Sequence, residues 1–97
     1  MKIIAMHQWK NEDLKTVTRK VIEALQTLPP GVSLVDTWMS GDEAWCIWEG
    51  ASPELGQQVK AYLDGKVPEM YTEVKEVIRW FPPSADLFMF IHRLVSQ

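Results

Sequence analysis

His7, Glu49 and Asp36 are the side chains whose chemistry could support catalysis. His7 alternates with Ile3 and Ala5 in a short apolar segment, so these three share one face of a predicted strand. We expect that face to line a cavity, where the imidazole accepts a proton and Glu49 or Asp36 orients it. The alternatives are a hydrogen-bonded core histidine for His7, and carboxylates that face solvent at an edge strand or a strand end.

A metal site has less support from the spacing of the possible ligands. His7, Cys46, Glu49 and His92 could in principle contribute, but their spacing matches no known ligand pattern. Divalent metal binding is therefore kept as an alternative function, and no metal ligand or cofactor is predicted. Cys46 has no neighbouring base in the sequence, so we expect it to behave as a small core hydrophobe.

Tryptophan is unusually frequent, with five in 97 residues. We expect Trp9, Trp38, Trp45 and Trp80, which stand on or beside predicted strands, to line a cavity for an apolar or flat ligand. The alternative is a subunit interface, where tryptophan often serves as an anchor. A domain this small has little room for five indole rings in its own core. Both alternatives therefore predict that a ligand or another subunit covers one face of a sheet.

The charge distribution argues against two classes of partner. The net charge is −3 and the ten Lys and Arg residues are dispersed, whereas nucleic acids and anionic membranes select a clustered basic surface. No apolar run approaches the roughly 18 residues of a membrane-spanning helix, and the apolar segment at residues 1–6 is too short for a signal peptide. A cytoplasmic location is the default expectation, and the lone cysteine excludes an intrachain disulfide.

Hydrophobic periodicity predicts one domain, residues 1–97, in which strands and helices follow the order βαββαβ before a last helix. Proline and glycine mark the boundaries, with Gly41 expected to take a positive φ in the hairpin between the second and third strands. The strands are predicted at residues 2–9, 32–39, 43–49 and 71–81. The helices are predicted after an N-cap at Asn11, at residues 53–64 and in a C-terminal extension over residues 84–97.

The C-terminal extension is apolar on more than one face. Leu87, Phe88, Phe90, Ile91 and Leu94 follow one another too closely to form a single stripe. We expect this helix to be buried against a subunit or across an open face of the sheet.

The βαββαβ order is that of the ferredoxin-like α+β fold, a four-stranded antiparallel sheet of order 4-1-3-2 with two helices on one face. The chain resembles the dimeric α+β barrel superfamily, in particular its small stand-alone members, over residues 2–81. The resemblance rests on this order and on the aromatic and acidic end of the third strand, residues 44–49, which leads by a short turn into Ser52-Pro53-Glu54-Leu55. It implies a homodimer in which the sheets pack face to face around a cavity in each subunit.

Several enzymes of this superfamily carry a cavity histidine in the second helix, and residues 53–64 contain none. We therefore expect binding of a small apolar or aromatic molecule in a tryptophan-lined cavity. If the protein is an enzyme, the resemblance implies a cofactor-free monooxygenase or isomerase with His7 as the proton acceptor. A non-catalytic interaction or regulatory module is the competing class.

Overall fold

The computed structural model describes residues 1–77 and 85–96, and it contains four strands and three α-helices in these ranges. A 3₁₀ turn at Asn11–Asp13 precedes the first helix. The elements are β1 (Lys2–Gln8), α1 (Leu14–Gln26), β2 (Ser33–Ser40), β3 (Glu43–Glu49), α2 (Leu55–Lys66), β4 (Tyr71–Val77) and α3 (Ala85–Val95).

The strands form one antiparallel sheet in the order β2-β3-β1-β4. This is the predicted ferredoxin-like order, with the first and third strands in the centre, and the prediction of an α+β fold with an additional C-terminal helix is confirmed. The central strands β1 and β3 pair along their whole length, from Lys2 opposite Glu49 to Gln8 opposite Glu43. At the β2 edge the register shifts between Leu34 and Asp36, which marks a β-bulge.

The hydrophobic core lies between the sheet and one layer formed by α1 and α2. The sheet contributes small side chains, among them Ala5 and Ala44, which allow the helices to approach closely. Each large aliphatic side chain buried in this layer contributes roughly 1.5–3 kcal/mol. The helices contribute Val17 and Ala24 from α1 and Leu55, Val59 and Leu63 from α2.

A tyrosine joins the two helices where α1 ends. The Tyr62 hydroxyl lies 2.7 Å from the carbonyl oxygens of both Ala24 and Thr27. The last carbonyls of a helix have no partner within the helix, so this hydroxyl satisfies one of them at a time. It also lies 2.9 Å from the Thr27 hydroxyl, which can donate in return. The contact fixes α2 against the C-terminal end of α1.

Local predictions are wrong at several element ends, including β2, which spans Ser33–Ser40, and α2, which spans Leu55–Lys66. Asn11 opens the 3₁₀ turn and makes no side-chain cap, so α1 begins three residues later. Gly41 does not take a positive φ; among the described residues only Gly31 does, at +78°. β1 ends at Gln8, and the predicted continuation of β4 to residue 81 lies outside the described residues from position 78 onward. α1 has already ended at Gln26, ahead of Pro29, and the left-handed Gly31 belongs to the following turn into β2, where the Val32 N–H donates to the Pro29 carbonyl oxygen at 3.1 Å.

Replacing Gly31 with alanine tests that turn. No atom lies within 4 Å of a Cβ added there, so any cost comes from the backbone. We expect G31A to lower the free energy of unfolding by about 1 kcal/mol. Gly65 in α2 is the matched control because its Cβ would also meet nothing within 4 Å, and G65A should raise stability by about 0.5 kcal/mol. Urea unfolding measures the change in the free energy of unfolding for both variants. The same change in G31A and G65A would contradict the conformational role of Gly31.

Candidate functional site on the uncovered sheet face

The second face of the sheet has an apolar centre and no described element packs over it. The antiparallel register places Trp38, Trp45, Met6 and Glu73 in one row across the four strands. The neighbouring row consists of Asp36, Ile47, Ile4 and Lys75. Because residues paired across strands share a face, five apolar side chains form a continuous patch between charged side chains at the sheet edges. We call this surface the open face.

A depression of about 230 Å³ lies in the open face. Its floor is Ile4 and Met6 of the central strand β1, and the Trp45 ring forms one wall. Charged groups of the edge strand β4 complete it. The lining residues are Ile4, Met6, Trp45, Glu73 and Lys75.

Two tryptophans are exposed side by side on the open face. Trp38 and Trp45 are paired across β2 and β3, and they are 55% and 47% exposed. The Trp45 indole Nε1–H donates to Glu43 Oε1 at 3.1 Å, which restrains the ring orientation. Indole rings held at this exposure are typical of surfaces that bind a partner or a flat ligand.

Charged groups surround the apolar patch. Lys2 Nζ lies 3.1 Å from Glu49 Oε1 at one end of β1 and β3. Asp36 is exposed on the edge strand, where its carboxylate accepts the Thr37 backbone N–H at 2.9 Å. Glu49 and Asp36 therefore both belong to the open face, and each already has a local partner.

His7 lies on the opposite face, under the helices, so the prediction that its face of β1 lines an open cavity is wrong. Its side chain is 3% exposed, and Nδ1 lies 3.0 Å from the Thr72 hydroxyl on β4. Burial lowers the pKa of His7 from 6.5 to about 4, so the imidazole is neutral near pH 7. The sheet itself separates His7 from Glu49 and Asp36, and the three residues do not form one site.

The other sequence candidates divide between the two faces. Trp9 is 8% exposed in the core beneath the helices, so its predicted cavity position is wrong, while Trp38 and Trp45 lie together on the open face. Trp80 lies outside the described residues. The side chains of each strand alternate between the two faces as predicted. Because β1 and β3 are apolar on both faces, the pattern alone does not indicate which face the helices cover.

Sequence reasoning missed a lysine that ties α2 to β4 beside His7. Lys60 Nζ donates to the Thr72 carbonyl oxygen at 2.7 Å and to Asp64 Oδ2 at 3.1 Å. It also lies 5.7 Å from the centre of the Tyr71 ring. The Lys60–Asp64 spacing of four residues in a helix could have indicated the ion pair, but the backbone contact depends on the tertiary fold.

Cys46 is buried on the helix side of β3, as expected for a small core residue. Burial raises the pKa of its thiol, although the Thr37 hydroxyl, which donates to Sγ at 3.6 Å, opposes that shift. The thiol is therefore protonated at neutral pH and a poor nucleophile. No group of three His, Cys, Asp or Glu side chains in the described part of the chain could hold a metal ion.

None of the described helices combines the length and apolar character needed to cross a lipid bilayer. The longest, α1, has 13 residues, against the roughly 20 that a bilayer requires.

The burial of His7 predicts how stability depends on pH. The unfolded chain binds a proton near pH 6.5 and the folded protein only near pH 4, so stability falls as the pH drops through this window. The difference corresponds to roughly 3 kcal/mol. We expect H7Q to lose less unfolding free energy than the wild type between pH 7 and pH 4.

Urea unfolding at several pH values measures how steeply the free energy of unfolding depends on pH. This slope is unaffected by any loss of stability in H7Q that is the same at every pH. H92Q is the control because His92 is exposed on α3, and it should keep the wild-type pH dependence. Equal slopes for H7Q and the wild type would show that His7 does not cause the acid sensitivity.

No known family's sequence model matches this chain, and no curated protein matches its sequence. The ferredoxin-like topology is therefore established by the strand order and register alone. Membership of the dimeric α+β barrel superfamily stays a prediction from the resemblance.

Proposed function

We propose that the protein binds a small apolar or aromatic molecule on the open face, in a tryptophan-lined cavity that is completed by a second copy of the chain. The observation that supports this most is the depression at the centre of the open face, with apolar β1 side chains as its floor and Trp45 as its wall. An exposed apolar concavity with few polar groups at its margin is the usual form of a small-molecule site.

The size of the depression bears on how the site would be completed. Its volume of about 230 Å³ is below the roughly 300–1,000 Å³ typical of small-molecule sites. One ring can occupy it, but most of the ring's second face would remain in water. A second apolar surface over the open face would enclose the ligand, and a homodimer provides one.

The lining favours a flat ligand. The Trp45 ring offers an aromatic surface for offset or edge-to-face stacking, worth about 0.5–1.5 kcal/mol beyond area burial. Ile4 and Met6 contact the ligand from below without directional demands. Glu73 and Lys75 on β4 can orient a polar substituent at the margin.

Binding is favoured over catalysis by the position of the only histidine on β1. His7 is on the helix side of the sheet and cannot reach a molecule bound on the open face. The oxygenase or isomerase step with His7 as proton acceptor is therefore not part of the proposal. Asp36 and Glu49 are placed to influence a ligand by charge at the edges of the open face.

A non-catalytic interaction module is the second candidate, and α3 favours it. Five large apolar side chains are exposed among residues 88–95 of α3, including Phe88 at 69%. On this alternative, the apolar surfaces serve association alone and no ligand occupies the depression.

An uncharged fluorescent probe, N-phenyl-1-naphthylamine, tests the binding proposal. We expect saturable probe fluorescence with quenching of tryptophan emission in the wild type. W45A removes the wall of the depression and should weaken binding about tenfold, since loss of one stacking contact approaches 1.4 kcal/mol. W38A is the matched control, because Trp38 is on the same face but outside the depression, and should weaken binding less than threefold.

Two results would contradict the proposal. The first is the absence of saturable probe binding by the folded wild type. The second is equal probe affinity in W45A and W38A, which would indicate adsorption to the apolar patch rather than binding in the depression.

A further inference from the structure

α3 is an apolar helix that has no buried residue among positions 88–96. Its exposed apolar side chains lie on more than one side of the helix, and a helix with this pattern is normally covered by protein. The exposed set is Phe88, Met89, Ile91, Leu94 and Val95.

The open face is equally uncovered in the same chain. Ile4, Trp38 and Trp45 all remain at least 37% exposed although α3 is present. The chain's own α3 therefore does not cover its own sheet. Two apolar surfaces of one molecule are both available to a partner.

We propose that α3 of a second copy lies across the open face of the first, and reciprocally, in a two-fold symmetric dimer. Each copy then supplies one helix and receives one. In this arrangement, α3 of the second copy is the surface that closes the depression. In that respect the inference rests on the proposed function. It differs from a dimer in which only the two sheets pack face to face.

The dimensions of the two surfaces match. Eleven helical residues extend about 16 Å at 1.5 Å per residue. Four strands at about 4.8 Å spacing make the sheet roughly 14 Å across. α3 can therefore cover the row from Trp38 on β2 to Glu73 on β4 from edge to edge.

The area available also favours the reciprocal arrangement. The exposed apolar side chains of the open face and of α3 each offer on the order of 500 Å², given that a whole aromatic side chain buries about 150–250 Å². A stable interface buries roughly 800 Å² on each partner. Neither surface reaches that value alone, whereas a dimer that uses both surfaces of each copy does.

The basic C-terminal end of α3 complements the charge of the open face. The last turn of α3 carries the basic residues His92 and Arg93. The two rows of the open face and the rows that flank them at Lys2 and Gln8 hold more carboxylates than ammonium groups, which favours a basic partner. The carboxylates are Asp36, Glu43, Glu49 and Glu73, and the ammonium groups are Lys2 and Lys75.

Disulfide trapping between two differently substituted chains tests the contact. In a Cys46→Ala background, Ile4→Cys marks the open face, and Phe88→Cys, Ile91→Cys and Leu94→Cys mark α3 in separate proteins. Each α3 variant is mixed with the Ile4→Cys protein, oxidised gently and analysed by non-reducing mass spectrometry. We expect at least one mixture to give the heterodimer in several-fold excess over either homodimer, because a disulfide requires Cα atoms within about 7 Å.

Gly65→Cys is the collision control, since a side chain there meets nothing within 4 Å, and thermal melting confirms that each variant is folded. The proposal is overturned by any of three results. One is an Ile4→Cys homodimer alone, which indicates sheet-to-sheet packing. Another is an intrachain disulfide in a chain that carries both Ile4→Cys and Ile91→Cys, without a heterodimer in the mixtures of separate variants. The third is a heterodimer yield no greater than with Gly65→Cys.

Probe binding by the wild type separates this inference from the proposed function. If the heterodimer forms and N-phenyl-1-naphthylamine does not bind, the α3 contact holds and the ligand site fails. If the probe binds saturably and no heterodimer forms, the ligand site holds and the α3 contact fails.

Discussion

Two helices can cover only one face of a four-stranded sheet, and the rest of this structure follows from that constraint. Side chains alternate along a strand, so every strand presents a second set of residues to the side without helices. Here that set contains Trp38, Trp45, Met6, Ile47 and Ile4. A surface of this size and apolarity is costly to leave in water. Among the described residues, the open face is therefore one of two uncovered apolar surfaces, the other being α3, and its depression makes it the best candidate for the function of the protein.

The elements and their order could be predicted from the sequence because each has a strong local cause. α1 ends at Gln26, shortly before Pro29, and the Ser52 hydroxyl accepts the Glu54 N–H at 3.1 Å just before α2. Residues 43–49 form the predicted strand with the predicted bounds. Four strands and two helices in this order allow few topologies, and the observed one has the two expected central strands.

The assignment of faces could not be predicted from the same pattern, and it changes the site. Ile3, Ala5, His7 and Trp9 are no more apolar than the alternate set, so hydrophobicity does not decide between them. Tertiary packing decides: the helices cover the face of Ala5 and Trp48 and leave the face of Met6 and Trp45 open. The result moves His7 and Trp9 into the core and leaves Trp38 and Trp45 at the surface.

The open face and α3 would give the proposed association of two chains a physical cause. The molecular mass of the wild type in solution, measured by sedimentation equilibrium across a range of micromolar concentrations, tests most directly whether a second copy covers these surfaces. A mass twice that of the chain, falling toward the monomer value only on dilution, is the predicted result. A monomer mass at every concentration would contradict a self-associating open face.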